Sequence, residues 1–377
     1  MEPTGSIASF RSEARAWLAA HVPKKASPED GPASRDFVRA WQKTQAEGGW
    51  AGIAWPKEVG GRGLSVHEQI VWFEEYARAG APSPLNASFV GLNHAGPTLI
   101  ACGTAEQKAW HLPKILSGDV IWCQGFSEPG AGSDLASLRT RGRVEGDALI
   151  IDGHKIWSSF ADIADVQELL IRTDPTAKTS GALSWVICPM DAPGITVRPI
   201  RTMAGVQKFC EVFYDSVRVP LSHVVGGLNN GWATAMSTLG FERGTAALAF
   251  LIEFILKVEE LLAACPPDRP VMRARLAQLR ADGAAIRAMT YRFALDAADS
   301  VPDASGSMNR LAFAEFAKRV TAAAIDLYGI DAPEVAGAHG WAHAYLDSFS
   351  ETIAGGTAEI QRNIIAERVL GLPKGPR

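Results

Sequence analysis

Several features that would direct this chain to other classes of protein are missing from its 377 residues. Basic residues are not in excess, because 37 lysines and arginines stand against 41 aspartates and glutamates, for a formal charge of −4. No stretch of lysines and arginines alternates with aromatic residues, so the composition argues against a nucleic-acid partner. The length is enough for two or three domains that share a large core.

Cysteine is scarce and scattered. The five cysteines are Cys102, Cys123, Cys188, Cys210 and Cys265. None forms a CxxC pair, and most have apolar neighbours. We therefore expect reduced core residues of a cytoplasmic protein, without a disulfide framework or a zinc site.

Membrane, metal and hydrolase signals are weak as well. The N-terminus lacks a basic region followed by an apolar run, so no secretory signal is predicted. The most apolar helical stretch, residues 244–262, carries Glu253 and Lys257 and is predicted to be a core helix, not a membrane span. His339 and His343 share a helical spacing without an acidic ligand between them, and no G-x-S-x-G elbow occurs. We expect neither a metal site nor a serine hydrolase.

The chain changes character twice, which predicts an α+β protein of three domains. Residues 1–118 are predicted to be helical, with Ile70, Phe73 and Ala77 on one face. Residues 119–225 are predicted to form strands because short apolar runs alternate with Gly, Asp and Pro. These runs are residues 120–126, 148–151, 168–173, 184–188, 195–200 and 209–214. No helix separates them, so we expect an antiparallel barrel or sandwich.

Residues 226–377 are predicted to be long helices again. Their apolar positions recur at helical spacing and form two stripes. The stripes are Leu251, Phe254, Ile255, Val258 and Leu262, and then Phe313, Phe316, Ala317, Val320 and Ala324. Short breaks between the helices favour an antiparallel bundle.

Three segments have the composition of ligand sites. Residues 126–134 (FSEPGAGSD) follow a strand, and their glycines would let backbone N–H groups approach a ligand, although an ordinary turn has the same composition. Residues 155–159 (KIWSS) place Trp157 between polar residues, where it would either fill the core or pack on a flat polar ring. Residues 353–363 (IAGGTAEIQRN) contain a double glycine before Thr357, which by itself indicates only a helix N-cap.

Taken together, these segments resemble the acyl-CoA dehydrogenases. The order and spacing agree, as does the strand exit at residues 213–220 (FYDSVRVP). The resemblance extends from residues 55–57 (WPK) to residues 364–368 (IIAER), nearly the whole chain. It implies a helical domain, a β domain and a C-terminal four-helix bundle around FAD, and the oxidation of an acyl-CoA to a trans-2-enoyl-CoA.

The resemblance also assigns cofactor residues. Phe126, through its backbone, and Ser127 correspond to contacts with the pyrimidine edge of the flavin. Trp157 corresponds to a residue that packs on the isoalloxazine, and Ser159 to one near N5. The remaining contacts are Ser133 at the phosphates or the thioester ligand, and Thr357 and Glu359 at the pyrophosphate and ribityl region. Ser133 and Arg243 are the implied substrate-binding residues.

The catalytic base departs from the commonest family pattern. Most relatives carry a glutamate just before the Gly-Thr pair, where this chain has Gly355. The backbone N–H of Gly355 corresponds to one of two donors that polarise the thioester carbonyl, the other being a ribityl hydroxyl. Some members, which include the isovaleryl and long-chain enzymes, carry the base on a bundle helix before an arginine, and Glu242 precedes Arg243 here. We expect Glu242 to be the base, with a pKa raised by burial; the alternative is a surface ion pair.

Two family elements that clamp a neighbouring subunit's FAD are not found. Residues 256–276 contain no Phe-Gly pair, and residues 327–340 match the Gly-Gly segment poorly. Two explanations stay open, an α2β2 assembly with a homologous subunit or a homodimer that binds adenosine differently, in place of the usual homotetramer. The resemblance implies an electron-transfer flavoprotein as acceptor.

Two other functions also stay open at this stage. One is a related flavin oxidase or monooxygenase, and the other is a non-catalytic subunit of a heteromeric dehydrogenase. The sequence does not fix the acyl group or distinguish CoA from an acyl-carrier protein. A base on the bundle helix is compatible with branched, long or ring-bearing acyl chains.

Overall fold

A computed structural model describes residues 4–177, 180–241, 245–299, 306–332 and 340–375. The chain begins with a helical domain. Its helices are α1 (Thr4–His21), α2 (Gly31–Glu47), α3 (Val66–Arg78), α4 (Gly96–Cys102) and α5 (Ala105–Ser117). Capping boxes start two of them, because Ser65 and Thr104 each exchange hydrogen bonds with the residue three positions on. Helix α5 ends at Gly118, whose φ of 76° suits a glycine.

The expected apolar face of α3 is turned inward. Ile70 and Phe73 are buried, and Ala77 packs at the edge of the same core. Trp72 of α3 stacks on Trp50, with ring centroids 4.2 Å apart and planes within 10°. This face also packs against the C-terminal helices, so the first and last domains share one hydrophobic core.

The middle domain is a single eight-stranded sheet. Its strands are β1 (Trp122–Gly125), β2 (Arg141–Glu145), β3 (Ala148–Ser159), β4 (Val166–Arg172), β5 (Leu183–Pro189), β6 (Ile195–Ile200), β7 (Phe209–Pro220) and β8 (Val224–Val225). The strand order is β6-β7-β3-β2-β4-β5-β8, with β1 added beside β4. One face packs on the N-terminal helices, and a second apolar layer lies within the β domain.

The expectation of a wholly antiparallel domain is wrong at two pairings. β1 runs parallel to β4, and β2 meets β4 in parallel where Arg141 lies opposite Arg172. The β2–β3 hairpin intervenes between β1 and β4, and this crossover returns the chain in its original direction. All other pairings are antiparallel among the described strands.

Two strands are longer than the sequence pattern indicated. β3 continues from Ala148 through Gly153 to Ser159, and β7 continues through Asp215 and Ser216 to Pro220. The Gly and Asp residues at which the sequence pattern ended these strands lie at irregularities of the β3–β7 ladder. One irregularity falls between Ile151 and Gly153. Gly and Asp are therefore bulge residues here, not strand breaks.

The last domain is helical, as expected. Its described helices are α6 (Gly231–Phe241), α7 (Ala246–Ala264), α8 (Pro270–Asp299), α9 (Gly306–Tyr328), α10 (Gly340–Ser348) and α11 (Ala358–Ile364). Both predicted stripes lie in the shared core, where Val258 and Phe316 are almost completely buried. Among the described helices, none has the length and apolar character that crossing a membrane would require.

The cysteines are unpaired thiols. Four of them are buried and Cys102 is half-buried. Burial raises the pKa of Cys188 and of Cys210 to about 12, so both stay protonated at neutral pH.

Candidate active site

The loop at residues 126–134 leaves β1 and folds back on itself. Glu128 and Ala131 exchange two backbone hydrogen bonds of 3.0 Å, which close a turn around Pro129 and Gly130. Phe126 is buried and its neighbour Ser127 is half-buried, whereas Ser133 is exposed at the end of the loop.

A buried ion pair fixes this loop to β3. Lys155 is completely buried, and its Nζ donates to the Phe126 carbonyl at 3.0 Å and to Glu128 Oε1 at 2.9 Å. Glu128 also accepts the backbone N–H groups of Arg139 and Thr140 at 2.6 and 2.7 Å. A further hydrogen bond joins the Ile156 N–H to the Ser127 carbonyl at 3.0 Å. The loop therefore has one fixed position relative to β3.

Both partners of the pair have shifted pKa values. Burial lowers the pKa of Lys155 to about 8, although the Glu128 carboxylate opposes the shift. Burial alone would raise the pKa of Glu128, but the Lys155 charge and the hydrogen bonds from Thr140 together lower it below its ordinary value. At neutral pH the two groups form an ion pair in a dry environment.

Trp157 lies outside the core. It sits in a bulge of β3 between Lys155 and Ser158, with a left-handed φ of 62°. Its side chain is 56% exposed and meets the Phe209 ring edge-on at 6.1 Å. The core-filling alternative is therefore wrong. Ser158 points inward, and Ser159 is half-buried opposite Phe209. A bulky residue with strained backbone and an exposed ring is typical of a ligand platform.

Contacts through Lys208 connect this platform to the C-terminal helices. The N–H of Phe160, just after the bulge, donates to the Lys208 carbonyl at 2.7 Å. The Lys208 ammonium binds both carboxylate oxygens of Asp347 at 2.9 and 3.0 Å. Asp347 lies near the end of α10, and its carbonyl accepts the Ser350 hydroxyl at 2.7 Å. The turn that leads to Gly355 starts there.

The double glycine adopts a conformation that other residues avoid. Gly355 has a φ of 63° and Gly356 a φ of 94°. A Cβ at Gly356 would come within 2.7 Å of Gln361 Nε2, which donates to the Gly355 carbonyl at 2.8 Å. Among the described residues, no acceptor meets the N–H of Gly355, which is exposed.

The polar residues after the glycines start α11. Thr357 is its N-cap, and the Thr357 Oγ1 accepts the Ile360 N–H at 3.3 Å. Glu359 is exposed, with a side-chain accessibility of 79% and a distant partner in Arg362 at 3.8 Å. The carboxylate of Glu359 and the hydroxyl proton of Thr357 thus remain accessible to a ligand.

A cavity of about 80 Å³ lies between the N-terminal domain and the start of α7. Its walls include the stacked Trp50 and Trp72, together with Phe73 and Tyr76 of α3. The Tyr76 hydroxyl is already bonded, since it accepts from Trp41 Nε1 and donates to the Pro82 carbonyl, both at 2.7 Å. The ring, not the hydroxyl, therefore borders the cavity.

Glu242 and Arg243 lie outside the described residues. The described positions that flank them are Phe241, at the end of α6, and Thr245, which lines the cavity with Ala246. The Thr245 hydroxyl donates to Gln69 Oε1 of α3 at 2.8 Å. The start of α7 is thereby attached to the helix that supplies the aromatic wall.

Comparison with known families identifies the class of protein. Residues 5–119 match the acyl-CoA dehydrogenase N-terminal domain, residues 123–217 the middle domain, and residues 229–370 the C-terminal domain. The chain belongs to the acyl-CoA dehydrogenase family. It is an oxidoreductase, and the members of its family are flavoproteins.

Individual relatives cover the whole chain. Acyl-CoA dehydrogenase IpdE1 of Mycobacterium tuberculosis is 37% identical, over 98% of both proteins. The solved structure of the Tcur3481-Tcur3483 steroid ACAD superposes with a TM-score of 0.87 at 34% identity, covering 100% of this chain and 99% of the other. The ChsE4-ChsE5 complex from M. tuberculosis gives 0.82 at 30% identity over 100% of both. Both similar structures are assemblies named for two proteins.

Sequence reasoning missed the residues that support the site. The Lys155–Glu128 pair, the Lys208–Asp347 contact and the tryptophan wall of the cavity join positions far apart in the chain. No local sequence pattern marks any of these residues as one of a pair.

Proposed function

We propose that this protein uses FAD to dehydrogenate an acyl thioester across its Cα–Cβ bond. The observation that carries the proposal is the link between Trp157 and Gly355. An exposed indole on the β domain and an unpaired N–H on the helical domain are joined through Phe160, Lys208 and Asp347. One connected set of contacts would therefore hold both a flat ring at the indole and a carbonyl oxygen at the N–H.

The residues present fit a flavin. Trp157 offers an exposed aromatic ring in a bulge of β3, and the half-buried Ser127 and Ser159 would bond the edge of the flavin ring system. Ser133, Thr357 and Glu359 would contact the phosphate and ribityl parts. When bound, FAD supplies an acceptor for the β-hydrogen and two electrons.

Proton abstraction is assigned to Glu242. The thioester α-proton becomes acidic when the carbonyl oxygen accepts the Gly355 N–H, because charge that develops on the oxygen is stabilised. The carboxylate of Glu242 takes the α-proton, and the next residue, Arg243, is assigned to substrate binding. Glu242 precedes by three residues Thr245, which lines the aromatic cavity.

The cavity suggests a compact acyl group. Large, rigid aromatic side chains line this cavity, which suits a branched or cyclic group better than a long linear chain. The steroid enzyme among the similar structures supports the same choice. We infer a bulky, ring-bearing or branched acyl-CoA as substrate and an electron-transfer flavoprotein as acceptor.

A panel of acyl thioesters tests the proposal. Purified protein is mixed without oxygen with straight-chain, branched and ring-bearing acyl-CoAs, and flavin absorbance is followed. We expect bleaching with a branched or cyclic member, and enoyl-CoA as product. Rapid oxygen consumption without an added acceptor would indicate an oxidase instead.

Variants of two glutamates identify the base. Glu242→Gln should retain bound FAD and lose activity by at least about 10³-fold, since the general base is removed. Glu253→Gln is the matched control, because Glu253 of α7 pairs with Lys257 of the same helix at 2.8 Å. An active, FAD-loaded Glu242→Gln enzyme would exclude this residue from the mechanism.

A further inference from the structure

An arginine of α9 holds the turn that precedes Gly355. Arg310 donates from Nη1 to Glu351 Oε2 at 2.9 Å, and from Nη2 to the Glu351 carbonyl at 2.8 Å and the Ala354 carbonyl at 2.9 Å. The side chains of Arg310 and Glu351 are only 26% and 16% exposed. One guanidinium thus bonds three acceptors of a single turn.

The contact with Ala354 bears directly on Gly355. The Ala354 carbonyl and the Gly355 N–H belong to the same planar peptide unit, so fixing the oxygen fixes the direction of the N–H. On the other side, Gln361 Nε2 holds the Gly355 carbonyl at 2.8 Å. Both peptide planes around Gly355 are therefore held by side chains, although a glycine alone would be free to rotate.

The charge of Arg310 adds a second effect. A hydrogen bond from a guanidinium to a carbonyl is charge-assisted and draws electron density toward the oxygen. Polarisation passes along the amide and makes its N–H a stronger donor. The Gly355 N–H, which meets no acceptor among the described residues, is thus both oriented and strengthened.

We propose that Arg310 is a positioning residue for α-proton abstraction, acting through the Ala354–Gly355 peptide on the thioester carbonyl. The inference rests on the proposed function. Arg310 gives up no proton and forms no bond to the substrate. It stabilises the oxygen that gains negative charge when the α-proton moves to Glu242.

The test measures the acidity of a bound ligand. A 3-oxoacyl-CoA is titrated into the FAD-loaded protein, and its enolate absorbance is followed against pH. Arg310→Met keeps an unbranched apolar side chain and removes the charge and the donors. Arg319→Met is the control, because Arg319 lies on the same helix and pairs with Asp282 at 2.8 Å, away from the turn before Gly355.

We expect Arg310→Met to raise the apparent pKa of the bound ligand by about one unit, and kcat to fall about tenfold. This is less than the loss of a whole oxyanion donor, which lowers kcat about 10²- to 10³-fold. The KM for acyl-CoA, the FAD content and the thermal midpoint should match those of Arg319→Met. Arg310→Lys should recover part of the effect, since its ammonium still reaches one carbonyl.

Different outcomes overturn different claims. A ligand pKa that is lowered in the parent protein and equally lowered in Arg310→Met would overturn the role of Arg310 alone. A parent protein that does not lower the ligand pKa and is not reduced by any acyl-CoA would remove the proposed function, and this inference with it. If Arg310→Met does not fold, the same titration is carried out with Arg310→Lys. A ligand pKa in Arg310→Lys equal to that in the parent protein would then overturn the inference.

Discussion

At the scale of single residues, the ion pair of Lys155 and Glu128 determines where the 126–134 loop lies. Glu128→Gln removes the charge that compensates a fully buried ammonium. Breaking a buried pair on one side typically costs about 3–5 kcal/mol. We expect a loss of that order in the free energy of unfolding at pH 7, measured by urea denaturation. Asp147→Asn, at an exposed pair with Arg218, should change it by less than about 0.5 kcal/mol.

The same ion pair predicts that the free energy of unfolding depends on pH. The pKa of Glu128 is lower in the folded protein than its ordinary value of 4.5. Its contribution is therefore fully present above that value and is lost as the pH falls through the folded pKa. The difference in unfolding free energy between the parent and Glu128→Gln should shrink as the pH falls from 5 to about 3. A difference that stays constant over this range would contradict the assigned charge state.

Residue roles could be assigned from the sequence only where a motif was present. The sequences around the 126–134 loop, Trp157 and the double glycine each have the composition of a ligand site. The roles of Lys155 and Arg310 could not be assigned in this way, because a lysine or an arginine in a sequence carries no sign of its partner. Their importance comes from contacts across 27 residues in one case and 41 in the other.

At the scale of elements, the bulge of β3 determines the direction of the Trp157 side chain. It turns Trp157 outward at a cost in backbone strain, since a φ of 62° is unfavourable for a bulky residue. In a regularly paired strand, successive side chains alternate between the two faces of the sheet. The bulge interrupts this alternation at Trp157. The sequence pattern indicated a strand here but not its irregularity, because a bulge depends on the register with β7.

A substitution of Trp157 separates the effect of the strained backbone from the effect of the side-chain contacts. Trp157→Gly relieves the left-handed backbone and removes an exposed ring, so the apoprotein should remain within about 1 kcal/mol of the parent stability. FAD affinity should fall at least about tenfold, given the usual energy of aromatic contacts. Fluorescence titration with FAD and urea unfolding of the apoprotein provide both values.

Phe160→Gly is the contrasting variant. Phe160 has a similar φ of 59° but packs against the buried cluster around Ile121 and Ile163. Its loss should lower stability measurably while FAD affinity changes little. If Trp157→Gly unfolded far more easily than the parent and bound FAD equally well, the indole would be a structural residue and not a platform.

At the scale of the whole molecule, the order of helices, strands and helices was predictable because composition changes at each domain. The packing was not, because the shared core of α3 and α7 joins segments about 180 residues apart. The parallel placement of β1 beside β4 was likewise not predictable from the sequence. Periodicity specifies which face of an element is apolar, but not which other element covers it.

The assembly gives a prediction at this scale. The sequence shows no clear match to the segments that would clamp a neighbour's FAD, and two similar structures are assemblies named for two proteins. We propose that a homologous subunit completes the cofactor site. Expressed alone, this chain should contain well under one FAD per polypeptide; co-expressed with such a subunit, it should co-purify and bind FAD stoichiometrically. Full FAD content in the isolated chain would refute the heteromeric assembly.

The contact between Lys208 and Asp347 has a mechanical consequence. It joins the β domain just after Trp157 to the helical segment that leads to Gly355, and both of its side chains remain partly open to solvent. Dissolved salt weakens such a contact by screening. If the proposed function holds, the spacing between the flavin and thioester sites depends on a contact that salt weakens, so the rate of hydrogen transfer should be sensitive to ionic strength.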